Sequence, residues 1–419
     1  MPAHADGFAT RAVHAGSRPD KANGATTTPI YASAGFAYET AAELEDVFCG
    51  RTPGHIYSRI SNPTVAAYEE RLAAIENGRG AIATGSGMAA IATVIMALTR
   101  AGDRIVSNAG LFGGTRRLFS SLMSRYNLDV VYIDLDEMGS LEAAINDRTR
   151  FVYLEAIGNP KLDVPDIPAA AAQSHARGIP LVVDSTLTTP FLLDAAALDV
   201  DLVLHSATKF ISGHGNCIGG ALIDTGRFDW GTIADPDMQH AVSKAGREPA
   251  FLYAARQLVV QSLGNLASPF DAYLQSQGIE TLALRMERHC SNALSLARTL
   301  EAHSAVAAVN YPGLASSPWH ETAKRLYRGY YGALLTVRLG SRERAFEFID
   351  ALRLPKQIAN LGDCKTLVIH PESTIYHDHS AEAREAAGAY DDMVRVSVGI
   401  ETEADLVADF LQALNRLSR

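Results

Sequence analysis

The sequence predicts an α/β fold, with a large and mostly parallel sheet followed by a smaller C-terminal α+β unit. From about Glu69, short β-branched runs alternate with stretches of helical period, the pattern of parallel strands joined by helical crossovers. A second series of strand-like runs begins after Tyr311, and the regions 250–263 and 279–303 between the two read as long helices. These observations divide the chain into an arm over 1–62, a ligand-binding domain over 63–263 and a small domain over 264–419.

The elements follow in order. Residues 1–62 are rich in Gly, Pro, Thr and Ser and carry little periodicity, so they form an extended arm that must lie against something else. "AYEERLAAIEN" is an amphipathic helix, "AIAT" a short strand and "MAAIATVIMALTR" an apolar helix. "RIVSN", "DVVYID", "FVYLEA", "PLVVD" and "DLVLHS" are further strands, separated by helical stretches such as "DIPAAAAQSHARG". In the small domain "GALLTVRL", "AFEFIDAL", "TLVIH" and "VRVSVGI" carry the α+β pattern.

Composition narrows the class. The chain has 419 residues, 47% of them hydrophobic and 20% charged, as in ordinary globular proteins. A net charge of −10 argues against a nucleic-acid partner. The N-terminal stretch has no apolar core of signal-peptide length, and no run is long enough to span a membrane, so a cytoplasmic enzyme is expected. Cys49, Cys217, Cys290 and Cys364 are scattered without a CxxC pair, which suggests neither a disulfide framework nor a zinc cage.

In parallel sheets, ligands sit at the carboxyl ends of the strands. "ATGSGMAAI" places Ser86, Gly87 and Met88 at a strand–turn–helix junction, where backbone N–H groups face an anion. It lacks the later glycine of a dinucleotide fingerprint, and a turn without a ligand is the alternative reading. "PLVVDS" ends a buried strand on Asp184, either a carboxylate awaiting a cation or the cap of the next helix. "DLVLHSATK" ends the next on Ser206, Thr208 and Lys209, so the acid and the lysine face one cavity if the strands are neighbours. Tyr57 and Arg59 are two apart in the arm and share a side if it is extended. Arginine's planar fork suits phosphate. "LEAIGNP" ends a strand on Glu155 and Asn159, and "VRVSVGIE" sets Arg395 among valines as an edge charge or a carboxylate anchor. His205 and His214 lie nine residues apart with glycines between, no helical metal pair, so local hydrogen bonds and no metal are expected. An acid for a ring nitrogen, a lysine for an aldehyde, and donors with an arginine for a phosphate together describe a pyridoxal phosphate pocket.

The stretches "YSRISNPT", "ATGSGMAA", "GNPKLDVPDI", "VVDSTLTTP", "HSATKFISGHG", "SPFDAYLQSQGIETLALRMERH" and "RVSVGIE" resemble the cysteine/methionine-metabolism family of fold-type-I pyridoxal phosphate enzymes, over essentially the whole chain. "KFISGHGNCIGG", "VNYPGL" and "NLGDCKTLVIHP" are most similar to its O-acetylhomoserine sulfhydrylase branch. The resemblance implies that 63–263 binds pyridoxal phosphate, with Lys209 as the Schiff-base lysine and Asp184 as the partner of the ring nitrogen. It implies that Ser86, Gly87, Met88, Ser206 and Thr208 hold the phosphate and that Phe112 stacks on the ring. Arg395, Asn159, Asn360 and Tyr57 are implied for the amino-acid substrate, and Tyr376, outside the family pattern, is a further candidate there. It further implies a homotetramer of dimers with shared sites, in which Tyr57 and Arg59 reach a neighbouring subunit.

Two positions depart from the family pattern. Phe112 stands where a tyrosine is common, preserving the stack and removing a hydroxyl. That weighs for an ester substrate, because acetate (pKa ~4) leaves with less protonation than a thiolate (~8.5). "HPESTIYHDHS" places Tyr376 beside the expected histidine, at the substrate mouth, where it either reshapes acceptor specificity or is a neutral loop change. The expected reaction is γ-replacement on O-acetyl-L-homoserine by sulfide or a thiol. A carbon nucleophile at Cγ, a cysteine-using γ-synthase, a γ-lyase and a nicotinamide-dependent oxidoreductase are the alternatives.

Overall fold

The computed structural model describes residues 6–20, 23–135 and 139–417. Strands β1 (Gly80–Thr84), β2 (Arg104–Asn108), β3 (Asp129–Ile133), β4 (Thr149–Glu155), β5 (Leu181–Asp184), β6 (Leu202–His205) and β7 (Gly220–Asp224) form one sheet in the order β1-β7-β6-β5-β4-β2-β3. The contacts from β6 through β3 are parallel, and β7 runs antiparallel to both its neighbours. The short connection between Asp184 and Leu202 does return β6 parallel to β5; a single turn (Thr189–Leu192) and a 3₁₀ turn (Ala196–Leu198) fill it. β7 is a strand the sequence reading passed over, because "GGALID" opens on the glycines that close the loop after Lys209.

Both faces of this sheet are covered, which is why its strands read as unbroken apolar runs. Phe151 and Tyr153 of β4 enter one core, with Val182 and Leu204, while Val152 and Leu154 enter the other, with Val183 and Val203. Helix Gly87–Leu98 packs on the first face and helix Pro63–Ile75 on the second.

Strands β8 (Ala308–Asn310), β9 (Leu334–Arg338), β10 (Lys356–Gln357), β11 (Leu367–Ile369) and β12 (Met393–Ser397) form the second sheet, in the order β10-β11-β12-β9-β8. The change from one core to the other falls inside a helix. Leu282, Met286 and Cys290 of helix Leu282–Glu301 pack into the large core, and Ala293, Leu296, Ala297 and Leu300 into the small one. Within this helix packing changes partners near residue 291, and Ala323, Leu326 and Tyr327 later return to the large core, because a 3.6-residue stripe carries no mark of which sheet it faces.

Of the arm, residues 1–5 and 21–22 lie outside the described residues. Its helix Phe8–His14 is docked on its own chain: Ala12 is fully buried, and Arg71 donates through Nε to the Ala15 carbonyl at 2.8 Å. A second helix, Ala41–Phe48, carries a capping box between Thr40 and Glu43.

Candidate active site

The carboxyl ends of β1, β2, β4, β5 and β6 converge on one cavity of about 430 Å³. Eleven predicted residues line it: Ser86, Gly87, Met88, Phe112, Asn159, Asp184, Ser206, Thr208, Lys209, Asn360 and Arg395.

The floor is the junction of β1 with helix Gly87–Leu98. Ser86 caps the helix, its Oγ accepting from Ala89 N at 3.1 Å, which leaves the Gly87 and Met88 N–H groups at the open end. Glycine is required at 87, where a Cβ would lie 2.8 Å from Ser206 Cβ. Ser206 N donates to Thr186 Oγ1 at 2.8 Å, joining the loops after β5 and β6. The Thr208 hydroxyl is engaged with Gly219, donating to its carbonyl at 3.1 Å and accepting from its N–H at 3.0 Å.

Asp184 receives the Tyr153 hydroxyl at 3.2 Å and the Thr186 N–H at 2.9 Å. Its register partner on β4 is Glu155, so two carboxyl groups end adjacent strands at one cavity. Burial, then the charge of Asp184, pushes the Glu155 carboxyl well above its usual range. The Glu155 side chain also accepts the Phe112 N–H at 2.8 Å and thereby fixes the loop after β2. The Phe112 ring folds back over Gly114, where a Cβ would stand 2.6 Å from its Cε1.

Lys209 Nζ donates to Asn360 Oδ1 at 2.5 Å. Burial first, and then the charge of Arg395, lowers its pKa to about 8. The burial penalty is therefore fully present below about pH 8 and fades as pH rises towards the unfolded value. The same shift supplies free amine near neutrality. Condensation of Lys209 with a small aldehyde is expected to accelerate about tenfold per pH unit up to about pH 8, then level off. Reductive trapping with mass analysis reads this; a rate still climbing a full decade per unit beyond that point would contradict the shift.

Arg395, on β12, is fully buried yet meets only neutral acceptors: Asn159 Oδ1 and the Asn360 carbonyl, each at 3.1 Å. Its Nε has no partner among the described residues. Burial lowers its pKa to about 10. A guanidinium held this way presents an unneutralised charge to a ligand carboxylate.

Three predicted residues lie elsewhere. Tyr57 is half-exposed, with Arg59 stacked over its ring at 5.5 Å and bonded to the Gln261 carbonyl, and neither lines this cavity. Tyr376 is only 1% exposed and stands behind the wall, not at the mouth; Ile375 is the residue of that loop that faces the cavity. A loop carries no periodicity from which to read that one-residue difference. His214 is bonded locally, to the Ser212 carbonyl, whereas buried His205 meets distant Glu76 through Nε2 and its Nδ1 has no partner among the described residues.

Glu155, read from the sequence as a polar strand end, also lines the cavity, and sequence reasoning missed Thr186 and Arg285. Thr186 lies two residues beyond Asp184, a spacing that was available as a signal. Arg285 was not legible: from helix Leu282–Glu301 it donates to the carbonyls of Phe210 (2.7 Å), Ile211 (3.2 Å) and Gly278 (2.6 Å), holding the turn that follows Lys209.

The chain matches the model of the Cys/Met metabolism PLP-dependent enzymes over residues 9–415. It is 40% identical to the homocysteine synthase of Schizosaccharomyces pombe, covering 99% of each chain. It is also 40% identical to the O-acetyl-L-homoserine sulfhydrylase of Corynebacterium glutamicum, over 96% of this chain and 95% of that one. Among solved structures it is similar to an O-acetylhomoserine (thiol)-lyase of Campylobacter jejuni carrying a pyridoxyl-lysine phosphate, with a TM-score of 0.89 and 31% identity over 98% of this chain and 100% of that one. A lysine, a carboxylate and an open helix N-terminus on a fold shared with such proteins settle the lineage: the chain belongs to the Cys/Met metabolism family of pyridoxal phosphate-dependent enzymes.

Proposed function

We propose that this enzyme replaces the γ-substituent of O-acetyl-L-homoserine with sulfide or a small thiol, giving homocysteine or its thioether. The observation that carries the reading is the cavity's division of labour. A lysine, an acid and an arginine line one cavity, in which the side chains of Phe112, Ile375 and Ile157 carry neither hydroxyl nor acid and the Glu155 carboxyl is engaged by the Phe112 N–H. The names of the relatives at 40% identity support the same reaction.

The residues present fit the cofactor. Gly87 leaves a cradle that a side chain would fill, beside the open amides of the helix and Ser206. Lys209 would bond the aldehyde, Asp184 would face the ring nitrogen and Phe112 would cover the ring. When bound, pyridoxal phosphate supplies a cationic ring that accepts the electron pair of a broken Cα–H bond.

The chain's own groups do the rest. Arg395, oriented by Asn159, binds the substrate carboxylate and thereby sets the Cα hydrogen towards Lys209. Lys209 Nζ takes that proton, then a Cβ proton whose bonding pair expels the γ-substituent, and returns protons to both carbons as the new bond is completed; a pKa of about 8 suits both directions near neutral pH. Asn360 Oδ1 gives the amine a resting partner between transfers. Acetate departs with its own negative charge, so the bare aromatic wall at Phe112 suffices where a thiolate would need an acid. Tyr57 and Arg59 complete the phosphate end of a second subunit's cavity in an assembly with shared sites; their position outside their own cavity supports this.

The test offers O-acetyl-, O-succinyl- and O-phosphohomoserine with sulfide, methanethiol and cysteine, following products by mass. The acetyl ester with sulfide or methanethiol is expected to dominate; preferred turnover of another ester or of cysteine overturns the reading. In the same assay, Phe112→Tyr should change acetyl-ester turnover less than about threefold. It should raise elimination of thiolate from cystathionine by about 10²-fold, the worth of one positioned acid. Equal effects on both substrates would count against the leaving-group argument.

A further inference from the structure

The segment running from His370 to Ala389 belongs to the small domain by connectivity and leans on the large one. It has a satellite core of its own, built from Tyr376, Ala387 and Ala389 with Ile375 packed against them, apart from the three main cores. So small a core gives the segment little stability of its own. Its docking decides its place.

Its deepest anchor is the Tyr376 hydroxyl. That single proton is shared between two carbonyls of the large domain, Leu111 at 3.1 Å and Asn159 at 2.9 Å. Each acceptor sits at a working position: Leu111 precedes Phe112, and Asn159 bears the amide that orients Arg395. The Tyr376 ring and Ile375 lie over Gly113, where a Cβ would meet them at 3.5 Å and 3.4 Å. Within the large domain, Glu155 braces the same loops by accepting the Phe112 N–H. Gly388 of the segment lies against Lys161, and a further tie, Arg117 with Asp378, is exposed and counts for little in water.

We infer that Tyr376 is an interdomain latch. It is a positioning residue that docks the 370–389 segment and, through two backbone carbonyls, sets the aromatic wall at Phe112 and the carboxylate clamp of Asn159 and Arg395 together. The phenol touches neither substrate nor cofactor. It makes the arrangement of those two walls depend on one small-domain side chain.

The experiment uses the full-length, cofactor-loaded enzyme and the variant Tyr376→Phe, which keeps the ring and removes the tie. Hydrogen exchange at the amides of 110–114 and 157–159 is expected to accelerate about five- to tenfold, with β5 and β6 unchanged, as for the loss of one neutral hydrogen bond. KM for the amino-acid substrate should rise by the same factor, with kcat within about twofold. Arg117→Ala, which breaks only the surface ion pair, should move neither readout. Unchanged exchange at the two loops in Tyr376→Phe overturns the latch, and so does an equal effect of Arg117→Ala. The kinetic arm rests on the function proposed above. The exchange arm does not, so an enzyme that rejects O-acetylhomoserine yet shows the loop exchange would refute the function and leave the latch standing.

Discussion

Replacing Lys209 with alanine is expected to lower turnover by at least about 10³-fold, the largest effect of any single change in this chain. The amine is buried, carries no carboxylate partner among its described contacts and is held by Asn360 Oδ1 at 2.5 Å. Among the described residues no other lysine lines the cavity. The fold should tolerate the loss, because the substitution removes a desolvated cation from a lined cavity and breaks no ion pair. Three measurements check this: turnover, the visible absorbance of the lysine-linked cofactor and the denaturation midpoint. The first two should collapse while the third stays level or rises. Turnover within tenfold of the parent would remove Lys209 from the mechanism.

Replacing Arg395 with alanine is expected to cost about 2–5 kcal/mol in kcat/KM, roughly 30- to several-thousand-fold, with most of the change in KM. The guanidinium is 2% exposed and bonded to an amide oxygen and a carbonyl, so in the free enzyme its charge is desolvated and unneutralised. On the proposed reading a substrate carboxylate supplies the missing counter-charge. Stability should therefore move in the opposite sense to affinity. Arg395→Met, of similar reach, is expected to bind as poorly as the alanine variant while denaturing at or above the parent temperature. A methionine variant with parental KM would place the carboxylate anchor elsewhere.

Much of this site was legible before the fold was known, and the reason is local. Asp184 is the last residue of the short apolar strand β5, and the Ser206–Lys209 group directly follows the four-residue strand β6. A polar residue at the end of a buried strand has one destination, the carboxyl edge of the sheet. Ser86 and Gly87 were legible for a similar cause, since a glycine turn between strand and helix leaves amides without intrahelical partners. Alternation made the strands parallel, and the sequence brought acid and lysine to one cavity only if β5 and β6 were neighbours, which the structure shows them to be. The arm was legible only in part. Its lack of periodicity hid the Phe8–His14 helix, whose single buried residue, Ala12, leaves almost no pattern.

What the sequence by itself determined is the kind of chemistry at each strand end: an amine, an acid, hydroxyls, open amides and, at position 112, an aromatic ring without a hydroxyl. These depend on nearest neighbours along the chain, and strand period carries them. What only the tertiary structure decided is which groups from the second domain meet them and in what state. Arg395 could have been an edge charge until the pairing of β12 with β9 and β11 buried it. Glu155 needed burial, and then Asp184 across the sheet, before its carboxyl was pushed well above the usual carboxylate range. Ile375 and Tyr376 are adjacent in sequence, yet one lines the cavity and the other is pinned behind it. Desolvation and like-charge repulsion act through space between residues far apart in the chain, so no local pattern can encode them.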